Sequence, residues 1–218
     1  MEIKKLVLLS HAINEQTPLY AGKKGIILKK IKSITKGDSS NAMHWSFPNH
    51  IGTHIDVPLH FMAKGLSVTD FKPKSWLFQK ISLIEIKNIK PDCLIGSESV
   101  GKLRDSDLIL IKTGFEKYRN NKIYWKKSPA LDSELAGFLK YKCPSLRAVG
   151  IDSISISNLN NRLMGRISHK AFLSRNILLI EDMKLSALKK KIPDLIIISP
   201  LLIENSDASP CNILGIYN

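Results

Sequence analysis

The stretch His50-Ile51-Gly52-Thr53-His54-Ile55-Asp56-Val57-Pro58-Leu59-His60 contains three of the six histidines of the chain and an aspartate. Imidazole and carboxylate groups are ligands that suit zinc, manganese and iron, and a metal ion requires them to converge at about 2.0 to 2.2 Å. A straight strand rises about 3.3 Å per residue and would hold His50 and His54 roughly 13 Å apart. The stretch therefore predicts a chain that bends in order to gather metal ligands.

The residues between the histidines favour a bent strand. Gly52 tolerates backbone angles that are closed to other residues, and Pro58 interrupts any β-ladder before His60. His54 and Asp56 are two residues apart, so they project from the same face of a short strand. A helix is disfavoured by the glycine, the proline and the β-branched neighbours.

The alternative interpretation is that these histidines are separate polar residues of a loop, each with its own hydrogen-bond partner. Burying several titratable groups side by side without a cation carries a large desolvation cost. We therefore favour a shared metal ion as the explanation of the cluster.

Composition and pattern predict a single α/β domain. The chain has 218 residues, of which 44% are hydrophobic and 24% charged, values typical of a globular protein with a substantial core. Short β-rich runs alternate with fewer helical segments. The predicted strands are 3–9, 25–34, 81–86, 107–112, 147–151, 177–181, 195–198 and 212–217, and the predicted helices are 97–103, 132–141 and 168–175.

Charge and hydropathy exclude several other classes of protein. The net charge of +14 raises the question of a nucleic-acid partner. However, the lysines are scattered, the tightest run being 189–191, and no aromatic residues interleave with them, so we expect no nucleic-acid binding. Apolar runs such as 6–9 are far shorter than the roughly 20 residues of a membrane helix. We expect a cytoplasmic protein with reduced cysteines and no membrane span.

The pattern His50-x-Gly52-Thr53-His54-x-Asp56-x-Pro58-x-His60 resembles the signature of the cyclase family, which includes bacterial kynurenine formamidases and isatin hydrolases. The segments 9–11, 18–22, 110–114, 150–153 and 207–210 resemble further blocks of this family. The resemblance implies a mixed β-sheet core flanked by a few helices, the swivelling β/β/α fold, in one domain spanning 1–218.

The same resemblance implies roles for individual residues. In the family pattern, the positions of His50, His54 and Asp56 are metal ligands, and that of His60 is the catalytic acid and base. A helical histidine followed twelve positions later by a glutamate at a strand end completes the metal shell, and the residues that match are His169 and Glu181. By its nearness to His50, Phe47 is our candidate for a substrate contact.

The resemblance further implies hydrolysis of a small amide by metal-activated water, with His60 as general acid and base. We predict an aryl formamide as the substrate. A cyclic amide such as an isatin-like ring and a metal-binding protein without turnover remain alternatives. One or two divalent ions are expected, with zinc as the first choice and manganese as the second, in a homodimer or homotetramer.

Overall fold

The computed structural model describes residues 2–189 and 191–218 of the chain. Its strands are β1 (Lys5–Leu8), β2 (Ile27–Lys32), β3 (Ala42–Ser46), β4 (His54–Asp56), β5 (Leu77–Phe78), β6 (Ile81–Glu85), β7 (Leu94–Ile95), β8 (Leu108–Lys112), β9 (Ala130–Leu131), β10 (Ala148–Ile151), β11 (Leu178–Glu181), β12 (Leu195–Pro200) and β13 (Ala208–Tyr217). The α-helices are α1 (Ile123–Lys126), α2 (Ser133–Lys142) and α3 (Arg162–Leu173). Short 3-10 helices lie at Tyr20–Gly22, Ile34–Lys36, Pro58–His60, Val68–Asp70, Pro73–Trp76, Ser97–Ser99, Phe115–Tyr118, Leu159–Asn161 and Leu185–Ala187.

One mixed sheet organises these elements. Its strands follow the order β5-β12-β13-β4-β11-β10-β8-β6, and β1 pairs with β13 beside this path. The neighbouring strands β6, β8, β10 and β11 pair in parallel. All pairs along the remaining path, from β11 through β4, β13 and β12 to β5, are antiparallel. The short strand β4 therefore lies where the parallel half of the sheet meets the antiparallel half.

The two edges of this sheet are joined by a short piece of chain. Strand β5 ends at Phe78 and β6 begins at Ile81, although these strands stand at opposite ends of the strand order. The backbone amide of Lys80 in this connection donates a hydrogen bond to Asp107, directly before β8. So short a connection requires the sheet to curl until its edges approach each other, and the sheet is nearly a barrel.

Side-chain alternation along the strands produces two apolar layers. In β8, Leu108 and Leu110 face a core inside the curled sheet, which they share with Ile55 of β4. The alternate residues Ile109 and Ile111 face a second core, which the sheet shares with α2 and α3. Because successive side chains of a strand point to opposite faces, each strand of the parallel half contributes to both layers.

The structure confirms the predicted fold class, a mixed sheet with few helices. Every predicted strand overlaps an observed one, although β12 extends beyond its prediction to Pro200 and β13 begins earlier, at Ala208. That the chain 1–218 is a single domain stays a prediction. Lys190, from the lysine run at 189–191, lies outside the described residues.

The helix predictions had mixed outcomes. Helix α2 is confirmed, and its N-cap Asp132 accepts a hydrogen bond from the amide of Glu134. The prediction of a helix at 97–103 is wrong: only Ser97–Ser99 forms a 3-10 turn, after which the chain is extended at Val100. Gly101 lowers the helical propensity of this segment, and Val100 packs against the second core in its extended form.

The predicted start of the third helix was also wrong. Helix α3 begins at Arg162, six residues before the predicted start, because Asn161 caps it by accepting a hydrogen bond from the amide of Met164. Ser168 lies inside the helix, where its hydroxyl donates to the carbonyl of Leu131. No helix in residues 2–189 or 191–218 combines the length and apolar character that crossing a bilayer requires.

Gly65 offers a test of how closely the chain packs around the Pro58–His60 turn. A Cβ atom at Gly65 would lie 2.4 Å from the carbonyl carbon of Pro58 and 2.5 Å from the amide nitrogen of Leu59. Because these contacts are with backbone atoms, Gly65→Ala should destabilise the fold by about 1 to 3 kcal/mol in urea denaturation. The control is Gly101→Ala, whose added Cβ meets nothing within 4 Å. Equal stability of the two variants would contradict the packing described here.

Candidate metal centre

The pairing of β4 with β11 determines which side chains meet at the centre. In this antiparallel pair, Glu181 lies opposite His54 and Leu179 lies opposite Asp56. Directly opposed residues of an antiparallel pair project to the same face of a sheet, which here is the face covered by α3. His169 of α3 lies over this face, so sheet and helix together bring imidazoles and carboxylates to one place.

The predicted bend before β4 is present. Gly52 adopts a φ of +57°, in the left-handed region that glycine tolerates. As a result the ring centroids of His50 and His54 are 5.3 Å apart, far closer than in a straight strand. The hydroxyl of Thr53 supports the bend, because it donates to the carbonyl of Asp182 and accepts from the amide of His11.

The predicted ligands cluster around Asp56 and Glu181. His50 Nδ1 lies 3.0 Å from Asp56 Oδ1, and His54 Nε2 lies 3.5 Å from the same oxygen. His54 Nε2 also lies 3.4 Å from Glu181 Oε2. His169 Nε2 lies 3.3 Å from Glu181 Oε1 and 3.8 Å from Asp56 Oδ2. The structure thus brings all five predicted metal ligands together.

Backbone carbonyls orient two of these imidazole rings. His54 Nδ1 lies 2.8 Å from the carbonyl oxygen of Gly52, and His169 Nδ1 lies 2.7 Å from that of Gly165. A carbonyl oxygen can only accept, so Nδ1 carries the proton in each ring. The lone pair of Nε2 is then directed at the carboxylates, which is the arrangement usual for histidines that bind metals.

The cluster contains buried polar atoms that lack hydrogen bonds. Among the described residues, neither carboxylate oxygen of Asp56 has a hydrogen-bond partner, and neither has His54 Nε2. Asp56 is 1% exposed, so water does not solvate it freely. A buried carboxylate without donors is costly unless a cation accompanies it. The donor set therefore fits a divalent cation between Asp56 and its neighbours.

The carboxylates of the cluster also favour positive charge on or near the neighbouring imidazoles. Burial acts to lower the pKa of His50, but the adjacent carboxylates of Asp207 and Asp56 raise it to about 10. Burial likewise opposes protonation of His54 and His169, yet the nearby carboxylate of Glu181 raises the pKa of both. In the absence of a metal, these carboxylates attract protons to the imidazoles; a bound cation would take the place of those protons.

Glu181 is held by donors from the loop after β10. Its Oε1 accepts hydrogen bonds from the amide of Ile156 at 2.7 Å and from the hydroxyl of Ser155 at 3.0 Å. Burial acts to raise the pKa of Glu181, but its contacts with His169 and His54 lower it well below the usual range. Glu181 is therefore a fixed carboxylate with its second oxygen directed at His54.

His60 adjoins the cluster, where it forms with Asp56 and His169 a group whose possible ligand atoms lie within 4.8 Å of one another. Its Nδ1 lies 2.7 Å from Asp207 Oδ2, and its ring centroid is 4.4 Å from that of Phe61. Burial is the largest influence on His60 and lowers its pKa below the ordinary value. His60 is thus a neutral imidazole whose Nδ1 is hydrogen-bonded to the carboxylate of Asp207.

Asp207 is a site residue that our reading of the sequence missed. The carboxylate bridges two histidines, since Oδ2 lies 3.1 Å from His50 Nε2 and 2.7 Å from His60 Nδ1, while Oδ1 accepts from the side-chain amide of Asn49. Asp207 directly precedes β13, and the next residue, Ala208, pairs with Asp56 of β4. The available signal was its place in the segment 207–210, which resembles a block of the family, but only the β4–β13 pairing reveals its partners.

The cluster opens into a cavity of about 420 Å³. All of the predicted metal ligands and His60 line it, together with apolar side chains that include Leu19, Phe61 and Ile154. The structure does not bring Phe47 to this cavity. Phe47 lines a separate one with Trp45 and Leu201, so its proposed contact with substrate has no support in the geometry. Phe61, whose ring lies 4.8 Å from that of His169, occupies the position beside the cluster instead.

A buried ion pair between Arg119 and Asp182 supports the centre at the end of β11. Arg119 donates to both carboxylate oxygens of Asp182, through Nε at 2.9 and 3.1 Å and through Nη2 at 2.8 Å. The hydroxyl of Tyr124 donates to the same carboxylate. Asp182 follows Glu181 directly, and its carbonyl holds Thr53. The ion pair therefore holds the backbone of both strands at one end of the β4–β11 pair.

Comparison with known proteins agrees with this architecture. The family model described as "Putative cyclase" matches residues 7–158. The chain belongs to the cyclase family. Kynurenine formamidase of Bacillus anthracis is 24% identical to this cyclase-family chain over 212 residues, with 96% of each chain covered. An uncharacterized protein of Haemophilus influenzae is 29% identical over 109 residues, which are 48% of this chain and 77% of that protein.

Solved structures share the fold of this cyclase-family chain. Isatin hydrolase A from Labrenzia aggregata, bound to benzyl benzoate, superposes with a TM-score of 0.82 at 18% identity and covers 98% of this chain and 93% of its own. A potential metal-dependent hydrolase with cyclase activity superposes with a TM-score of 0.74 at 22% identity and covers 98% of both chains. At this level of identity the likeness establishes the fold alone.

The Arg119–Asp182 ion pair should contribute strongly to stability. Arg119→Met would leave the carboxylate of Asp182, which is 1% exposed, without its cationic partner, so the variant should unfold with a free energy lower by about 3 to 5 kcal/mol. The matched control is Lys80→Met, which removes an exposed ion pair with Asp105 and should change the stability far less, because solvent screens that pair. Urea denaturation of both variants measures the difference, and equal losses would refute the supporting role of Arg119.

Proposed function

We propose that this chain is a metal-dependent hydrolase of small amides, and that its substrate is an aryl formamide. The observation that carries the proposal is the position of the unsatisfied Asp56 carboxylate and of His60 in the wall of one cavity. The family membership and the likeness to a kynurenine formamidase over 96% of each chain support it. A cavity of about 420 Å³ is of a suitable size for a substrate with one aromatic ring.

Two overlapping sets of residues would hold divalent ions. His50, His54 and Asp56 form the first set, and their ligand atoms lie within 4.8 Å of one another. Asp56 with His169 and Glu181 forms the second set, in which Asp56 would bridge. A divalent ion bound there supplies a Lewis acid that polarises a carbonyl group and lowers the pKa of water. Zinc suits this mixture of imidazole and carboxylate ligands, and manganese is the second candidate.

His60 has the arrangement of a general acid and base. Its Nδ1–H donates to Asp207, so Nε2 is the free acceptor of the ring. Because burial lowers its pKa, His60 is neutral near pH 7 and can accept the proton of the attacking water. It then delivers that proton to the amide nitrogen as the carbon–nitrogen bond breaks. Asp207 stabilises the imidazolium that exists between these two proton transfers.

Two alternatives to an aryl formamide hydrolase can be tested. A cyclic amide is the alternative substrate, and turnover of isatin and simple lactams compared with formylated anilines distinguishes the two. A metal-binding protein without turnover is the other alternative, but a half-buried, neutral His60 at the cavity wall favours catalysis. Assembly as a homodimer or homotetramer stays a prediction, and we expect no nucleic-acid partner.

Metal binding is tested most directly at Asp56. Asp56→Asn preserves the size of the side chain but removes the negative charge that both ligand sets share, so the purified variant should contain little metal and show no hydrolysis. Elemental analysis gives the metal content per chain. The control is His44→Gln, which alters an exposed histidine of β3 and should leave metal content and activity unchanged. If Asp56→Asn retained stoichiometric metal and full activity, the ligand assignment would be wrong.

The role of His60 predicts a different result. His60→Ala should keep its metal, because the five proposed ligands around Asp56 remain to hold it, yet it should lose about 10²- to 10⁴-fold in kcat for an aryl formamide. Steady-state kinetics combined with metal analysis separates loss of proton transfer from loss of the ion. Parental kcat in the variant would show that another group transfers the proton.

A further inference from the structure

Arg162 and Arg166, at the cavity, differ from the other arginines of the chain in their hydrogen bonding. Arg104, Arg119, Arg147 and Arg175 all donate hydrogen bonds within the protein. Arg162 and Arg166 are described residues too, but they take part in no ion pair or side-chain hydrogen bond among residues 2–189 and 191–218. Both line the cavity that contains His60. The guanidinium groups without a protein partner are thus found together, at the candidate site.

Helix geometry fixes where these arginines stand relative to the metal centre. Arg162, Arg166 and His169 are spaced by four and three residues, so they share one face of α3. With a rise of 1.5 Å per residue, Arg166 lies about 4.5 Å and Arg162 about 10.5 Å from His169 along the helix axis. The cations therefore form a row that leads away from the metal ligands along the cavity wall.

Local stability does not account for this row. Arg162 is the first residue of α3, and no acidic residue occupies the first turn of the helix. Cations near a helix N-terminus oppose the helix dipole and typically destabilise the helix. Two unpaired arginines in the first turns of α3 are thus unfavourable for the helix itself.

The distribution of charge around the cavity is asymmetric. The acidic residues of the lining are Asp56, Glu181 and Asp182, all of them buried, and the last is neutralised by Arg119. The remaining charged residues of the lining are cations and are exposed, namely Lys23, Arg162 and Arg166. A substrate whose amide reaches Asp56 and Glu181 therefore extends past unpaired cations. Guanidinium groups bind carboxylates through paired, charge-assisted hydrogen bonds.

We propose that Arg162 and Arg166 form a carboxylate subsite, so that the substrates of this chain are amides that carry an anionic group away from the scissile bond. The proposal rests on the proposed amide hydrolase function and specifies its substrate class. The anionic group is bound and not altered, while the amide is cleaved by water at the metal centre. The neutral isostere of such a substrate lacks the contact with the arginines and binds less tightly.

The test compares 4-formamidobenzoate with 4-formamidobenzamide, which differ in charge but little in shape. The parental protein should hydrolyse the anion with the higher kcat/KM. In Arg162→Gln/Arg166→Gln that advantage should fall by roughly 10- to 100-fold, mainly through KM, with the neutral amide little affected. The control is Lys170→Gln, which removes an exposed cation of α3 that does not line the cavity; it should retain the parental preference.

Calorimetric titration of the metal-loaded protein with the same two compounds separates failure of this proposal from failure of the proposed function. If neither compound is hydrolysed, the formamidase proposal fails, and the ratio of the two Kd values still decides whether the arginines bind the carboxylate. Equal Kd values in the parental protein overturn the subsite. A preference for the anion that survives in Arg162→Gln/Arg166→Gln also overturns it, because the carboxylate would then be bound elsewhere, for example at the metal.

Discussion

The buried carboxylate of Asp56 is the constraint on which the rest of the site depends. It lies in the middle of a sheet, on the face covered by α3, and the described residues offer it no hydrogen-bond donor. A buried carboxylate in such a position is costly unless a cation accompanies it. The surrounding imidazoles of His50, His54 and His169 supply neutral ligands for that cation rather than a permanent positive charge.

The architecture of the sheet makes this concentration of charge possible. Strand β4 has only three residues, yet it pairs with β11 on one side and with β13 on the other. The pairing with β11 sets Glu181 beside His54, and the pairing with β13 brings Asp207 to His50 and His60. The Arg119–Asp182 ion pair then holds the chain at one end of the β4–β11 pair. The neighbouring strand β11 thus contributes Glu181, and the start of β13 brings Asp207. These two acids have different roles.

The different roles of Glu181 and Asp207 follow from how deeply each carboxylate is buried. Glu181 is almost fully buried and is fixed by donors from the loop after β10, which suits a metal ligand. Asp207 is about one third exposed and bridges two histidines at the cavity wall, which suits a group that orients an imidazole. The arginines of α3 extend the same cavity toward solvent with the opposite charge. An amide that spans the cavity would meet a metal centre at one end and guanidinium groups at the other.

The sequence by itself determined the local parts of this picture. Gly52 permits the bend, the alternation of His54, Ile55 and Asp56 sets one polar face against one apolar face, and the apolar runs of the parallel strands predict a buried sheet. These features depend on residues close together in the chain, and for that reason the strands and most site residues could be predicted from it. The resemblance to the cyclase family was needed to connect His169 and Glu181 with the cluster.

Only the tertiary structure decided which distant residues meet. Asp207 lies 157 residues from His50 in the chain, and its role depends on the β4–β13 register, which local sequence does not encode. Phe47 was chosen for nearness in sequence, yet its side chain lines another cavity, whereas Pro48 and His50 line the cavity of the site. The start of α3 was missed because Asn161, rather than Ser168, supplies its cap. Periodicity and turn residues are local properties of a chain, whereas strand order and register are chosen by packing across the whole sheet.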